Sequence, residues 1–304
     1  LLVEPERTNL IQYSEDFSQW TTSGSPTLTT GQLAPDGTLG ATKVSGTIGS
    51  TYLSLNGTTS ATATRTIYAR TVSGTGTAKL MSYNANTNNL FNLTEEWQRF
   101  ELTGAISTGA TNFYIDFRDN SQTLSEFIIW GGQSEVGSYA TSYIPTDGGT
   151  VTRVQDQYSK TGISNLINSE EGVLFVEMAS FGTGSATQYI SITNGVSSSY
   201  GLRILYHTNG SVYFQKYVNG TRTTNLATSS ITITDFNKLA IRYNSTTVDV
   251  WANGVEILTN ADTNAISSGT LNRLGFDIGD ELNPFYGKVK QLQVFKTALT
   301  DDEL

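Results

Sequence analysis

The sequence predicts an all-β protein built from two antiparallel β-sandwiches in tandem, and three observations support this class. The 304 residues suit two domains, at roughly 100–200 residues per domain. Short runs of alternating apolar and polar residues recur along the chain, and clusters of Gly, Asn and Ser separate many of them, which favours antiparallel sandwiches over βαβ units. Charged residues make up only 15% of the chain, and the remaining polarity comes from Thr, Ser, Asn and Gly, which favour strands and tight turns.

The clearest strand predictions are runs rich in Val, Ile, Tyr and Phe, at 66–72, 112–117, 126–130, 173–178, 238–243 and 288–295. Helical patterns are rare. Residues 13–17 suit one turn, and residues 297–304 suit a short closing helix in which Thr300 precedes a run of acids, a typical N-cap arrangement.

A break in the strand pattern divides the chain. Residues 144–149 combine Pro145 with a Gly-Gly pair, and the alternation resumes only at residue 172. Pro and Gly clusters of this kind mark turns and loops. We therefore expect a first sandwich at 1–150, a linker at 151–171 and a second sandwich at 172–304.

Asn-Gly pairs at 209–210, 219–220 and 253–254 predict β-hairpins, because both residues tolerate the positive φ angles of a two-residue turn. The turn at 253–254 fixes a register. It pairs Ala252 with Val255, Trp251 with Glu256, Val250 with Ile257 and Asp249 with Leu258. Val248, Val250, Ala252, Val255 and Ile257 then line a core face, and Asp249, Trp251, Glu256 and Leu258 line the other face.

The same reasoning at Asn209-Gly210 pairs Tyr206 with Tyr213, Ile204 with Gln215 and Leu202 with Tyr217. Neither face of this hairpin is cleanly apolar. A bulge or a one-residue slip would exchange the two faces, so the buried face stays open at this point.

Composition excludes several classes of function. Without cysteine there is no disulfide framework and no thiolate chemistry, and with His207 as the one histidine no multi-histidine metal site can form within one chain. The net charge of −9 argues against nucleic acid, whose binding requires phosphate neutralisation. No apolar run approaches the ~20 residues that span a bilayer, and no signal peptide is visible.

The second half of the chain resembles laminin-G and concanavalin A-like lectin domains. The residues that carry the resemblance are 172–177, 200–205, 238–244, 248–256 and the closing segment 287–304, which ends in Thr-Ala-Leu-Thr-Asp-Asp-Glu-Leu. The resemblance implies a jelly-roll sandwich.

The first half resembles a jelly-roll module, similar to carbohydrate-binding modules, that recurs in bacteriophage tail and structural proteins. Residues 2–17, 34–38, 95–100 and 129–146 carry this resemblance, above all Glu-Pro-Glu-Arg-Thr-Asn-Leu near the start and Trp-Gly-Gly-Gln-Ser-Glu-Val-Gly-Ser-Tyr at 130–139. It implies a virion location on the tail or capsid surface, or an extracellular one, with other virion subunits as partners and a possible homotrimer.

Catalytic patterns are missing from the sequence. Glycoside hydrolases of the lectin-like fold carry Glu-x-Asp-x-Glu on one strand to supply a nucleophile and an acid, whereas the corresponding run here keeps only Glu177. A lyase or a Ser-His-Asp triad would have to use His207, which lies beside a turn, and no Gly-x-Ser-x-Gly surrounds a serine. We therefore predict no enzymatic activity.

Sugar binding needs aromatic rings and fixed polar groups on an open surface. The candidate residues are Trp251 with Asp249 and Glu256, then Tyr206, Tyr213 and Tyr217, and on the first sandwich Tyr68, Arg70 and Tyr83. For each set the alternative is ordinary packing, and Trp97 and Trp130 are expected in the core. Calcium is a possible cofactor, with Asp277 and Asp280 as candidate ligands, although a solvated acidic loop would have the same composition.

The sequence thus predicts a non-catalytic pair of carbohydrate-binding modules in a phage tail or virion-surface protein, attaching to host or environmental polysaccharide or cell-surface glycan. Two alternatives stay open. The chain could be a purely structural virion decoration protein, or ancillary binding modules of a larger polysaccharide-degrading enzyme.

Overall fold

The computed structural model describes residues 1–56, 62–82, 90–105, 112–184 and 186–304. These residues are almost entirely strands and turns, with short 3₁₀ helices at Phe17–Gln19 and Asp301–Glu303. The all-β prediction is confirmed. Among the described residues, no helix has the length and apolar character needed to cross a bilayer.

The strands are numbered in chain order. Up to residue 153 they are β1 (Leu2–Val3), β2 (Arg7–Asn9), β3 (Thr21–Ser23), β4 (Thr27–Gln32), β5 (Ala41–Ser45), β6 (Tyr52–Asn56), β7 (Thr62–Arg70), β8 (Gly76–Ser82), β9 (Leu90–Leu93), β10 (Gln98–Ala105), β11 (Asn112–Asp116), β12 (Glu126–Val136) and β13 (Val151–Arg153). From residue 159 they are β14 (Ser159–Thr161), β15 (Gly172–Ser180), β16 (Gln188–Thr193), β17 (Gly201–Tyr206), β18 (Val212–Val218), β19 (Thr221–Thr228), β20 (Asn237–Tyr243), β21 (Thr247–Ala252), β22 (Val255–Ala261), β23 (Arg273–Gly275) and β24 (Gly287–Phe295).

The chain forms two compact units, which we call the N-terminal sandwich (Glu6–Val154) and the C-terminal sandwich (Leu1–Pro5 with Gln155–Leu304). The boundaries differ from those expected from the sequence. Strand β1 pairs with β24 of the C-terminal sandwich, and the expected linker contains β13, which pairs with β2, and β14, which pairs with β23. Short edge strands of this length give almost no periodic signal in a sequence, which is why the linker assignment missed them.

In the described residues, the N-terminal sandwich consists of two five-stranded antiparallel sheets, beside the two-stranded β13-β2 sheet. Their strand orders are β10-β7-β12-β5-β4, which we call the Tyr68 sheet, and β3-β6-β11-β8-β9. Both contribute alternate residues to one core, including Ile67 and Ile129 from the Tyr68 sheet and Phe113 and Ile115 from the other. Side chains of neighbouring strand residues point to opposite faces, so Tyr68 and Trp130 lie on the outer face of their sheet.

The C-terminal sandwich also pairs two antiparallel sheets. We call β1-β24-β15-β20-β21-β22 the Trp251 sheet and β14-β23-β16-β17-β18-β19 the Arg203 sheet. The core between them includes Leu174, Ile204, Phe214 and Val250. Because Ile204 and Phe214 face inward, Arg203, Tyr213, Gln215 and Tyr217 lie on the outer face of the Arg203 sheet.

The β21–β22 hairpin confirms part of the predicted register. Its turn residues Asn253 and Gly254 have φ angles of 54° and 79°, as a type I′ turn requires. The pairs Ala252–Val255 and Trp251–Glu256 form as predicted, but a bulge then pairs Val250 with Leu258 and Asp249 with Thr259. The bulge lies in the edge strand β22, where an extra residue is tolerated, and Val255 is 61% exposed instead of lying in the core.

The β17–β18 hairpin has a longer turn than the sequence suggested. His207 and Ser211 close the loop through a hydrogen bond from His207 N to Ser211 O of 2.9 Å. The strands consequently pair Tyr206 with Val212 and Leu205 with Tyr213, one residue away from the predicted register. A one-residue slip exchanges the two faces, so Tyr206 enters the core and Tyr213 stays on the outer face.

Candidate functional site

Trp251 is buried, with 3% of its surface exposed, which corrects the expectation of an open ring. It packs with Val173 and Ala240 and with partly buried apolar residues of the closing segment, Phe295, Leu299 and Leu304. The guanidinium carbon of Arg242 lies 4.6 Å from the ring centroid. The closing segment of the chain therefore covers the outer face on which the hairpin register places Trp251.

The polar neighbours of Trp251 also have structural partners. Asp249 is buried and accepts a hydrogen bond of 3.0 Å from Arg242 Nε. Arg242 also donates to Leu299 O at 2.8 Å and to Asp301 Oδ1 at 2.6 Å. Burial lowers the pKa of Arg242, but the hydrogen bonds with Asp301 and Asp249 more than offset it, so the pKa lies above its ordinary value. Glu256 is exposed and accepts a hydrogen bond from Thr259.

Tyr206 belongs to the core of the C-terminal sandwich. Its side chain is 2% exposed, and its hydroxyl donates to Met178 O at 3.1 Å. Burial raises the pKa of this hydroxyl well above the ordinary value. The platform expected from Tyr206, Tyr213 and Tyr217 therefore loses its first member, because the register slip sends that ring inward.

Tyr213 and Tyr217 remain on the outer face of the Arg203 sheet, where both are half-buried. The guanidinium carbon of Arg203 lies 4.2 Å from the Tyr217 ring centroid. Arg203 stands between Ser191 of β16 and Gln215 of β18 in the sheet register, and Tyr189 of β16 adds a further half-buried ring to the face. We call Tyr189, Arg203, Tyr213, Gln215 and Tyr217 the Arg203 face.

Arg203 is 1% exposed. Its Nε and Nη2 atoms have no hydrogen-bond partner among the described residues. Burial lowers the pKa of Arg203, and interactions with Tyr217 and Tyr189 only partly offset this effect. Burial also raises the pKa of the Tyr189 hydroxyl, so this tyrosine stays neutral and able to donate a hydrogen bond.

His207 lies at the end of the β17–β18 strand pair and forms hydrogen bonds within the turn. Its Nδ1 accepts a hydrogen bond from Asn209 N at 3.3 Å, and its ring centroid lies 5.2 Å from that of Tyr213. These contacts give His207 a local role in positioning Tyr213 at the rim of the Arg203 face.

The outer face of the Tyr68 sheet carries a second aromatic cluster, which we call the Tyr68 face. The ring centroids of Tyr68 and Trp130 lie 5.2 Å apart, and those of Trp130 and Tyr143 lie 4.6 Å apart. Arg99 lies over the Tyr68 ring at 5.6 Å, and Arg70 lies over the Trp97 ring at 5.4 Å. Tyr68 and Arg70 thus share an outer face with Trp97 and Arg99, and all four are half-buried.

Trp130 lies beneath this cluster and is 5% exposed. It was expected in the core, but it packs on the outer face of its sheet, with Ala34, Ala41 and Ile128. Its indole Nε1 has no hydrogen-bond partner among the described residues. The neighbouring Tyr143 hydroxyl donates to Ser14 Oγ at 2.6 Å, and burial raises its pKa above the ordinary value. Tyr83, the remaining candidate on the first sandwich, lies outside the described residues.

The acidic loop after β23 is held by an arginine. Both carboxylate oxygens of Asp277 accept hydrogen bonds from Arg273, at 2.7 and 2.5 Å, and Gly279 N donates to Oδ1 at 2.6 Å. Asp280 is exposed. Within the described part of the chain, no group of three or more His, Cys, Asp or Glu residues has an arrangement suited to a metal ion. Both carboxylate oxygens of Asp277, a candidate calcium ligand, are thus engaged by Arg273.

The comparisons with known proteins concern mainly the fold. Residues 174–304 match the family model described as the concanavalin A-like lectin/glucanases superfamily. No curated protein matches the chain. The C-terminal sandwich is a concanavalin A-like jelly roll.

Solved structures similar to this chain include two from bacterial carbohydrate-active enzymes. One is the CBM40 module of the Ruminococcus gnavus IT-sialidase bound to α2,3-sialyllactose, at 18% identity over 47% of this chain and 84% of that chain, with a TM-score of 0.40. Another is domain 4 of AbnA, a GH43 extracellular arabinanase from Geobacillus stearothermophilus, in complex with arabinotriose, at 13% identity over 51% and 74% of the two chains, with a TM-score of 0.39. Sheep galectin-11 in complex with glycerol is similar at 10% identity over 47% and 99%, with a TM-score of 0.32.

Arg203 and Tyr189 were not among the candidate residues that the sequence suggested. One signal was present. Arg203 interrupts the otherwise apolar run Leu202-Arg203-Ile204-Leu205, and a charged residue in the middle of a buried strand is rare unless it has a partner or a function.

Proposed function

We propose that this chain is a non-catalytic carbohydrate-binding protein that attaches to polysaccharide or cell-surface glycan. The observation that carries the proposal is the Arg203 face, where half-buried tyrosine rings surround a fixed polar centre on the outer side of a lectin-type sheet. Sugars bind through their C–H faces on aromatic rings and through hydrogen bonds from their hydroxyls to fixed polar groups.

The polar atoms beside the rings are held in place before any ligand arrives. Gln215 Nε2 donates to Asn225 Oδ1 at 3.0 Å, and Ser191 Oγ donates to Asp277 O at 2.7 Å. Fixed side chains reduce the entropy that a ligand must overcome on binding. The Arg203 face therefore has the rigidity expected of a binding surface.

The Tyr68 face extends the proposal to the N-terminal sandwich. Half-buried Tyr68, Trp97, Arg70 and Arg99 there combine ring faces with guanidinium donors. A site on each sandwich would make the protein bivalent, and linked sites raise the overall affinity for a repetitive polymer without new contacts.

The positions of the residues closest to a catalytic role support a non-catalytic protein. Glu177 is engaged by Lys290 Nζ at 3.1 Å, and His207 Nδ1 accepts a turn N–H. A glycoside hydrolase needs two carboxyl groups flanking one bond, and Glu177 lies on the Trp251 sheet, away from the Arg203 face.

The setting that we propose is the surface of a virion, on the tail or capsid, where the protein would attach the particle to its host and assemble with other virion subunits, as a homotrimer. This part of the proposal rests on the sequence resemblance of the first half. Light scattering of the purified chain would give its mass, and a mass of one chain would contradict the trimer.

Binding to an immobilised glycan array, followed by calorimetry with the strongest ligand, tests the proposal. We expect Tyr217→Ala and Tyr213→Ala to weaken binding by about threefold to tenfold each, the usual value of an aromatic contact. Tyr158→Ala is the matched control, because this exposed ring contacts Phe276 and lies away from the Arg203 face. Failure of the wild-type protein to bind any glycan would overturn the proposed function.

A further inference from the structure

We propose that the Arg203 face selects anionic sugars, and that the Arg203 guanidinium is the group that recognises a sugar carboxylate. This inference rests on the proposed function and names the class of ligand for that site. Arg203 is buried like Arg65 and Arg273, but it lacks the carbonyl and carboxylate acceptors that bind those two arginines.

The two other arginines that are buried among the described residues are each held by several protein acceptors. Arg65 Nη1 donates to the carbonyl oxygens of Met81, Ser82 and Asn112, at 3.2, 3.0 and 2.8 Å. Arg273 forms a two-pronged pair with Asp277. Arg203 forms no ion pair with a described residue, and its Nε and Nη2 atoms, both shielded from solvent, have no acceptor there.

A buried guanidinium whose Nε and Nη2 atoms have no acceptor is costly, because these two atoms have lost their hydrogen bonds to water. The neighbouring strands do not supply the missing acceptor. Ser191 Oγ and Gln215 Nε2, on the neighbours of Arg203 across the sheet, donate to Asp277 O and Asn225 Oδ1, and neither side chain bonds to Arg203 Nε or Nη2. An acceptor brought by a ligand would complete the bonding of Arg203, which is the arrangement expected of a binding residue.

The local charge also favours an anion, although the chain as a whole carries a net charge of −9. Arg222 lies opposite Tyr217 in the register and is exposed, and its charge acts through space on the Tyr189 hydroxyl. Asp280 is the acidic residue that interacts with Arg203 through space, but it lies beyond ion-pair distance and is exposed. Two arginines, Arg203 and Arg222, thus supply positive charge at this face of an acidic protein.

The geometry favours a planar carboxylate. A guanidinium presents two parallel N–H groups, and the oxygens of a carboxylate accept both at once. The Tyr217 ring covers the guanidinium at 4.2 Å, so the ligand gains access when this half-exposed side chain changes rotamer, a motion on the picosecond to nanosecond scale for surface side chains. The sugar ring can then stack on Tyr217 while its carboxylate reaches Arg203.

A paired array tests the inference. Each oligosaccharide that contains a uronic or sialic acid is printed beside its carboxyl-reduced, neutral counterpart, and sulfated oligosaccharides form a third group. Calorimetry with the strongest acidic ligand and its neutral counterpart then compares the wild type with Arg203→Gln and Arg203→Lys. Arg222→Gln is the matched control, since it removes an exposed charge from the same face.

We expect the wild type to prefer the carboxylated member of a pair by about tenfold or more, the value of a charge-assisted hydrogen bond. Arg203→Gln should remove this preference while keeping weak binding to the neutral sugar. Arg203→Lys should keep part of the preference, because it retains the charge and loses the two-pronged geometry. Arg222→Gln should lower the affinity for all anions by a smaller factor that disappears at high salt.

The outcomes separate this inference from the proposed function. Binding of neutral and carboxylated sugars with equal affinity would leave the proposed function intact and overturn the inference, as would a preference that survives in Arg203→Gln or one confined to sulfated sugars. An absence of binding to every glycan would overturn both. If Arg203→Gln does not fold, the nitrogen-15 NMR signal of the Arg203 Nε–H group in the wild type provides the test. A carboxylate bound to Arg203 must shift this signal when the acidic sugar is added. A signal that does not move would contradict the inference.

Discussion

Arg242 stacks its guanidinium on the Trp251 ring at 4.6 Å and at the same time holds the closing segment through Leu299 O and Asp301 Oδ1. One side chain thus connects the buried tryptophan to the segment that buries it. The 3₁₀ helix at Asp301–Glu303 is capped by Thr300, whose N–H and hydroxyl both bond to the Glu303 carboxylate. Hydrogen bonds to Arg242 and within the 3₁₀ helix therefore hold the last residues of the chain in place over Trp251.

Removal of residues 297–304 should expose Trp251. We expect the emission of this tryptophan to shift to longer wavelength and its quenching by acrylamide to increase, because Leu299 and Leu304 no longer cover the ring. The chain contains four tryptophans, so the same deletion in a Trp251→Phe background serves as the control. An equal spectral change in that background would show that the cover acts on another tryptophan.

Replacement of Trp251 by Ala should destabilise the C-terminal sandwich without affecting glycan binding. The ring is 3% exposed, and the loss of a buried aromatic side chain costs about 3–5 kcal/mol. Urea denaturation gives the free energy of unfolding, and calorimetry with the strongest glycan gives the affinity of the folded protein. A large loss of affinity with unchanged stability would identify Trp251 as a residue of the binding surface.

The sequence was sufficient to predict the class of fold but not which residues lie on the proposed binding face. Alternation predicted the strands, and the Asn-Gly turn at 253–254 predicted the first two pairs of its hairpin, because both signals are local. The turn at 209–210 gave the wrong register, because the loop is one residue longer than a two-residue turn and is closed by His207 and Ser211. A slip of this size decides which tyrosines face outward, and no local signal in the sequence reports it.

Burial by distant segments was equally hidden from the sequence. Trp251 and Asp249 were placed correctly on a face opposite Val250, but the cover comes from Leu299 and Leu304, about fifty residues further along the chain. The outer face of a sheet becomes either a binding surface or a second layer of core, depending on what packs on it. The pattern of a single hairpin contains no information about that partner.

The buried pair formed by Lys216 and Asp262 provides a prediction about pH. Lys216 Nζ lies 3.5 Å from Asp262 Oδ1, and both side chains are almost fully buried. Burial raises the pKa of Asp262, but hydrogen bonds from Thr224 and Asn264 outweigh this effect and bring its pKa well below the usual value. Burial lowers the pKa of Lys216, and Asp262 partly offsets that change.

Asp262→Asn should destabilise the protein by about 3 kcal/mol at neutral pH, because it leaves the Lys216 charge buried without a counter-ion. The cost should shrink as the pH falls below about 4, the ordinary pKa of an aspartate. In this range the unfolded wild type binds a proton that the folded protein does not bind, so the wild type loses the stability that the pair contributes. Urea denaturation at about pH 3 to 7, a range that brackets the ordinary pKa of an aspartate, gives the free energy of unfolding of the wild type and of Asp262→Asn. A difference between the two proteins that does not change with pH would contradict a charged Lys216–Asp262 pair.

If Arg203 serves binding, it should lower the free energy of unfolding of the protein without ligand. Arg203→Leu removes a buried guanidinium with two unbonded nitrogen atoms and leaves an apolar side chain of smaller volume beside Tyr217. We expect the variant to unfold at higher urea concentration, with a gain of about 1 kcal/mol, because an unsatisfied buried donor costs about 1–3 kcal/mol and the lost stacking on Tyr217 offsets part of the gain. The same replacement at Arg273 is the contrasting control. It should destabilise the protein, since it deprives buried Asp277 of its partner. A loss of stability in Arg203→Leu equal to that in Arg273→Leu would identify Arg203 as an ordinary structural arginine.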